Sequence, residues 1–483
     1  MKETRASNER CATIESTVRT TLLAVVLPLV FGCGSPELGV SGTKRPPTAA
    51  SDPVSTPRVA RPPASPAEPP TALPSPDAAP PDATPDGPVV VTDGGSAMRT
   101  TAIGSLRGPH LLRHFYESLA RLEDGHAHDD VRIVQYGDSH TASDLPTSAV
   151  RRALQQRFGD GGRGFVSIGK PWRKYTQDAI HTGMTKEFAP EKGKHGLGDG
   201  SYGLLGIAIE SSQRDAKAWL DATASSSRLE LAYLEQPRGG TFEVFIDGAK
   251  TAKIASGGAK RQSAWRAFDV AEGPHKIEVR ATGDGDVRLY GVTLDRSAAG
   301  VMVDALGING AQIHTALAWN EAHFAEQLKH RAPDVVVLAY GTNESLERLS
   351  AAEYERKLVD LLGRVARAVP ASSCLLLGPP DRAALTKGTK DDWKTAQKLV
   401  EIVDSQRRVA EAAGCAFYDQ LEAMGGQGTI AVWAKEPHPR AGKDRVHLTR
   451  DGYTALATAL VTDLLRAYGV WRADSGLAPT SRP

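Results

Sequence analysis

Cysteine is scarce in this chain: 483 residues hold four, Cys11, Cys33, Cys374 and Cys415, with no CxxC pair. That number and scatter exclude a disulfide framework and a cysteine-based zinc site. Net charge is nearly absent too. Lysine plus arginine number 58 against 57 acidic residues, and the pI is about 7.7. The chain therefore offers neither the basic field of a nucleic-acid binder nor an acidic field for cations. Long apolar runs are also missing. The run at residues 20–31 is about a dozen residues, short of the roughly 20 that cross a bilayer.

What that short run does suggest is export. Arg19 precedes it and Gly32-Cys33-Gly34-Ser35 follows it, a basic, apolar and small-residue succession expected of a secretory signal peptide. A cysteine at the end of the run resembles a bacterial lipoprotein box, which makes Cys33 the candidate lipidation site of a periplasmic or outer-membrane lipoprotein. Plain export with an incidental cysteine is the simpler alternative. Residues 1–35 are read as this signal segment. Residues 36–98 hold 16 of the 31 prolines and no aromatic residue. Such a stretch buries too little apolar area to offset the entropy of ordering, so it is expected to be an extended tether.

Length alone suggests two or three domains. Past the tether, apolar runs at 131–136 (VRIVQY), 301–306 (VMVDAL), 335–340 (VVVLAY), 374–377 (CLLL) and 416–418 (AFY) alternate with helical patterns at 146–158, 351–368 and 450–468. Runs apolar on both faces predict parallel strands covered by helices on each side, an α/β fold. Asp144 stands near the start of the first helix, and Thr449 is placed to cap the last. Between 171 and 300 the pattern changes to short alternating segments at 229–234, 241–246, 265–270, 275–281 and 287–294, with a hairpin signal at Asp247-Gly248. This predicts a β-sandwich inserted into the α/β domain, which then occupies 99–170 and 301–475, with a tail at 476–483.

Each predicted parallel strand ends in a polar loop: Gly137-Asp138-Ser139-His140, Gly307-Ile308-Asn309-Gly310-Ala311, Gly341-Thr342-Asn343-Glu344 and Gly378-Pro379-Pro380-Asp381. In open α/β sheets ligands bind outside the carboxyl ends of the strands, so these loops are expected to converge. A serine nucleophile needs a base, and the base needs an orienting carboxylate. Asp444 and His447, three residues apart before the last helix, fit those parts, giving the order Ser139, Asp444, His447. The amides of Ser139 and Gly310 and the side chain of Asn343 are the candidate oxyanion donors. Each motif alone is a common turn; the set in order at strand ends is not.

The blocks GDSH, GINGA, GTNE and DRVHLT resemble those of the SGNH (GDSL-type) hydrolase superfamily. FGDGGRGF at 158–165, GPPD and the Trp433 region are similar to its peptidoglycan O-acetylesterase and O-acetyltransferase branch. The resemblance implies a three-layer α/β/α sandwich with a parallel sheet, interrupted by a carbohydrate-binding-module-like insert. It implies Ser139 as nucleophile, His447 as base, Asp444 as its partner, and Gly310 and Asn343 as oxyanion donors. No metal or organic cofactor is called for. The expected partner is peptidoglycan or another O-acetylated glycan, with the membrane reached through the lipid anchor and nucleic acid not expected. An acetyltransferase using the same triad and a non-catalytic glycan-binding protein are the alternatives.

Other residues have plainer readings. The His126-Ala127-His128-Asp129 cluster is expected to be a solvated turn rather than a metal site. Trp219, Tyr233, Trp265 and Tyr290 are expected to be core aromatics rather than sugar platforms. Cys374 and Cys415 are expected to be two buried thiols, with a disulfide as the alternative. His140 adjoins the serine in sequence and is expected to point away from it. Glu344 is expected either to contact substrate or to face solvent.

Overall fold

Residues 102–127, 129–192 and 198–477 are described by the structure, a computed structural model. The expected signal segment, Cys33, the tether, His128 and residues 478–483 lie outside the described residues.

Five parallel strands form the centre: β1 (Val131–Gly137), β2 (Val301–Gly307), β3 (Val335–Ala339), β4 (Ser373–Leu377) and β5 (Ala416–Tyr418). Their spatial order is β5-β4-β3-β1-β2, and two short strands, Leu106–Arg107 and Ala102–Ile103, complete a seven-stranded sheet beyond β5. Leu106–Arg107 runs antiparallel to β5. Successive side chains of a strand point to opposite faces, and β1 shows it: Val131 and Ile133 enter one core, Val134 and Tyr136 the other. Helices Arg113–Glu123, Leu145–Phe158 and Arg450–Asp474 cover the first face through Phe115, Leu154 and Leu460. Helices Glu321–Arg331, Ala351–Ala368 and Gln397–Ala412 cover the second through Phe324, Leu361 and Val403. This is the three-layer α/β/α arrangement. The last helix outruns its expected end at residue 468 because Trp471 is still buried, against Tyr116 and Tyr468.

Between β1 and β2 lies a nine-stranded sheet, antiparallel in its pairings. Its spine is two long strands, Lys217–Glu235 and Gln262–Ala281, paired along nearly their full length. The segments expected as separate strands at 265–270 and 275–281 are thus one strand, with register shifts on either side of Gly273. One end of this pair continues to Thr241–Ile246 and Ile180–Met184, the other to Val287–Asp295. The two halves meet face to face where the Tyr233 and Phe242 rings lie 5.2 Å apart. Asp247 and Gly248 both adopt positive φ (51° and 84°) between strands whose Ile246 and Ala249 are paired, the two-residue turn expected there. The sheet also takes in Gly162–Val166, ahead of the expected boundary at 171, through pairing with Val287–Asp295.

Cys374 and Cys415 form a disulfide, with Cα atoms 4.7 Å apart, which corrects the expectation of free thiols. The reason is register. Leu375 of β4 pairs with Ala416 of β5, so the residue before each is brought alongside the other.

Candidate active site

The strand order reverses around β1: the chain moves to one side for β2 and to the other for β3. The loops after β1, β2 and β3 therefore share one crevice at the carboxyl ends of the strands. A side chain on Gly307 would place its Cβ 2.0 Å from the Ala142 nitrogen, so only glycine lets the turn after β1 seat on the end of β2. That turn is a single helical turn, Ser139–Ala142, capped by Asp138, whose carboxylate accepts from the His140 amide at 2.9 Å. Asp138 is thereby occupied with the turn.

Ser139 is left half-exposed, with Oγ 2.9 Å from His447 Nε2. On the far side of the ring, Nδ1 lies 2.7 Å from Asp444 Oδ2. Asp444 Oδ1 accepts from the amides of Val446 and His447 at 3.0 and 3.1 Å, which turns the short loop back on itself. Arg445 takes up positive φ (55°) at the bend, and the Gly442 amide closes the loop on the His447 carbonyl at 2.7 Å. Partial burial pushes the Asp444 carboxyl up, but the His447 ring and the two amides outweigh it and hold the group below the usual carboxylate range. Hydroxyl, imidazole and carboxylate in series are the arrangement that activates a serine and orients its base.

Gly310 is exposed and adopts φ 71° in the loop after β2. Asn343, after β3, donates from Nδ2 to the Ala311 carbonyl at 2.9 Å. A primary amide has two N–H groups, so this bond fixes the plane of the side chain and leaves the second hydrogen to point elsewhere. Among the described residues, the amides of Ser139 and Gly310 donate to no protein acceptor. All five residues expected at the site thus lie on loops at the same end of the sheet.

His140 points away from the serine, as expected: Nδ1 meets the Tyr453 hydroxyl at 2.8 Å, and burial pushes the imidazole below its ordinary value. It lies under His447, with ring centroids 5.4 Å apart. Glu344 differs from both expectations. It is 2% exposed and accepts from the backbone amides of Ile313 and Gly341, so it touches neither solvent nor a substrate surface. Asp381 of the GPPD loop is likewise structural, accepting from Thr395 Oγ1 and the Ile430 amide. Trp433 is buried beneath the Arg440 guanidinium. Sequence reasoning missed Arg382, whose Nη1 donates to Ser345 Oγ at 2.8 Å and which lies near enough to Asp444 to feel its charge. Its only sequence signal was its place at the end of a strand-end loop. Below the serine turn, Asp138, His140, Thr342, Pro379 and Tyr453 line a cavity of about 30 Å³, room for a water but not for a sugar.

Of the expected core aromatics, Tyr233 and Tyr290 are buried and Trp219 and Trp265 half-buried. Trp265 stacks on His330, 3.8 Å between centroids.

Residues 273–455 match the GDSL-like lipase/acylhydrolase family, a span that includes Gly310, Asn343, Asp444 and His447 and begins after Ser139. No curated protein matches the chain in sequence. Among solved structures, a peptidoglycan O-acetylesterase is similar over 74% of this chain and 96% of its own, with 25% identity and a TM-score of 0.61. A family two carbohydrate esterase from Cellvibrio japonicus is far less similar, with 14% identity and a TM-score of 0.26 over 60% of this chain and 99% of its own; that likeness bears no weight. Family match, layer order and the similarity to the first of these structures agree: residues 273–455 match a GDSL-like acylhydrolase domain, the fold is of the SGNH type, and the chain is a carboxylic ester hydrolase.

Proposed function

We propose that the chain is a serine esterase that removes O-acetyl groups from a cell-wall glycan, peptidoglycan foremost, and that it works in the cell envelope. The observation that carries the chemistry is the series Ser139 Oγ to His447 Nε2 at 2.9 Å and His447 Nδ1 to Asp444 Oδ2 at 2.7 Å. In this reading His447 takes the Ser139 proton as Oγ attacks the acetyl carbonyl. The oxyanion is held by the amides of Ser139 and Gly310 and by the free N–H of Asn343. The imidazolium then protonates the departing sugar oxygen, leaving acetyl on Ser139. Water, deprotonated by His447, attacks the acetyl carbonyl and releases acetate, restoring the serine. Asp444 holds the ring in the tautomer with Nε2 free and stabilises the imidazolium.

The substrate class rests on the similarity to a peptidoglycan O-acetylesterase. It is supported by a half-exposed serine on an open rim, which suits a group displayed on a polymer. The signal segment, Cys33 anchor and tether complete the reading, with residues 171–300 as an inserted β-domain that can hold glycan. Ser139→Ala should reduce acetate release from O-acetylated peptidoglycan to background, and Asp444→Asn should lower kcat by about 10⁴-fold with the fold intact. Unchanged release by the alanine variant sinks the proposal. Acetate appearing on a glycan acceptor instead of in solution would make the same site a transferase.

A further inference from the structure

The loops that carry Gly310 and Asn343 come from different strands and share no backbone hydrogen bond among those described. Something else must set their spacing, because a hole for an oxyanion works only when its donors are held in place before charge develops. Three side chains cross between them. Asn343 Nδ2 donates to the Ala311 carbonyl at 2.9 Å, and Gln312 Nε2 donates to Glu347 Oε1 at 2.8 Å. The third, Glu344, is the buried one. Its Oε1 accepts from the Ile313 amide at 2.8 Å and its Oε2 from the Gly341 amide at 3.1 Å. One oxygen thus grips the loop that carries Gly310, and the other grips the start of the loop that carries Asn343.

A carboxylate is suited to this task. It accepts at both oxygens and donates nothing, so each amide finds an acceptor whichever loop it belongs to. A carboxamide offers one acceptor and turns two N–H groups toward amides that cannot accept them. We propose that Glu344 is a positioning residue for the oxyanion hole, clamping the loop of Gly310 to the loop of Asn343 without touching substrate. The assignment rests on the reading of Ser139, Gly310 and Asn343 given above.

The surroundings of the clamp make it sensitive to acid. It faces Asp138 from the turn after β1, Tyr340 at the end of β3, and Tyr354 from helix Ala351–Ala368. Both tyrosines are held protonated by burial. Burial pushes the Glu344 carboxyl up to about 7, with the Asp138 charge adding to it and the amide bonds opposing it. Below that pH the carboxyl gains a proton and grips its amides less firmly.

The test is Glu344→Gln in the full chain, assayed on an activated acetate ester. The expected result is a fall in kcat of about 10- to 100-fold with KM within about twofold, the pattern of donors displaced by a fraction of an ångström. The acid limb of the kcat–pH profile, expected in the wild type to carry the Glu344 ionisation on top of that of the general base, should become less steep. In an Asn343→Ala background the same substitution should cost much less, since the donor it positions is gone. Glu344→Asp keeps the charge but loses one methylene of reach, and should show the same kcat loss; it carries the test if the glutamine variant does not fold. A kcat equal to wild type, additive effects with Asn343→Ala, or two variants that both fail to fold overturn the assignment. Ser139→Ala is run alongside: if it stays active the underlying reading is wrong, whereas an inactive Ser139→Ala beside a fully active Glu344→Gln removes only the clamp.

Discussion

At the scale of single residues the site separates groups that face the crevice from groups that hold the fold. Asp138, Ser139 and His140 are consecutive, yet one caps a helical turn, one presents its hydroxyl and one bonds Tyr453. Burial gives Glu344 an effect on stability as well as on geometry. Its carboxyl takes up a proton near 7 in the folded chain but near its ordinary value of 4.5 when unfolded. Between those values the folded state binds more protons than the unfolded one, so stability falls as pH rises through that window. Urea midpoints measured from pH 4.5 to 7.5 should therefore show a downward slope in the wild type that is weaker in Glu344→Gln. A slope unchanged by the substitution would mean that the carboxyl does not titrate in that window. The hydrogen-bonded series of Ser139, His447 and Asp444 was legible in the sequence, because its members stand on loops that are polar islands between apolar runs. Glu344 was not: a carboxylate in such a loop reads as solvated, and only the fold shows two backbone amides closing over it.

At the scale of elements, legibility followed burial. The five parallel strands are apolar on both faces and stand out at once. The strand Gln262–Ala281 was divided in two because Glu272-Gly273-Pro274 reads as a turn, whereas here it is the irregular point in a continuing strand. The Cys374–Cys415 bond was favoured the other way because pairing register between β4 and β5 is a tertiary fact. That bond closes a loop of 41 residues running through the GPPD segment and helix Gln397–Ala412. Such a crosslink stabilises by about 2–4 kcal/mol, chiefly by restricting the unfolded chain. Replacing both cysteines by serine should lower the denaturant midpoint accordingly while leaving kcat near wild type. An unchanged midpoint would mean that the bond does not form in solution. A second element-scale lock is Asp144. Its buried carboxylate accepts from Arg163 at 2.6 Å and from the Asp178 amide at 2.9 Å, joining the second helical segment after β1 to the first strands of the insert. Asp144→Ala leaves Arg163 buried without that charge and should cost about 3–5 kcal/mol in urea unfolding.

At the scale of the whole molecule, the inserted sheet is part of the body of the enzyme. One apolar core runs from Leu231, Leu289 and Val292 of the insert to Phe324, Leu358 and Val403 on the helices of the α/β sheet. The contact is polar as well: Gln327 donates to Ser263 Oγ at 2.7 Å, and His330 meets Glu230 at 2.7 Å beneath the Trp265 ring. The inserted sheet, read from the sequence as residues 171–300, therefore shares its core with the α/β layers rather than standing apart from them. Calorimetry of residues 102–477 should show a single transition for sheet and insert together. Two resolved transitions would mean that the insert folds on its own.

The bond between Ser139 and His447 joins positions 308 residues apart, across the whole inserted sheet and all four later parallel strands. Contacts that distant in sequence are slow to form. With Ser139 and His447 in the roles proposed above, hydrolytic activity works as a clock: a refolding chain should regain its secondary structure first and its turnover last, and any emerging polypeptide that has not yet reached residue 447 carries a serine with nothing to wake it.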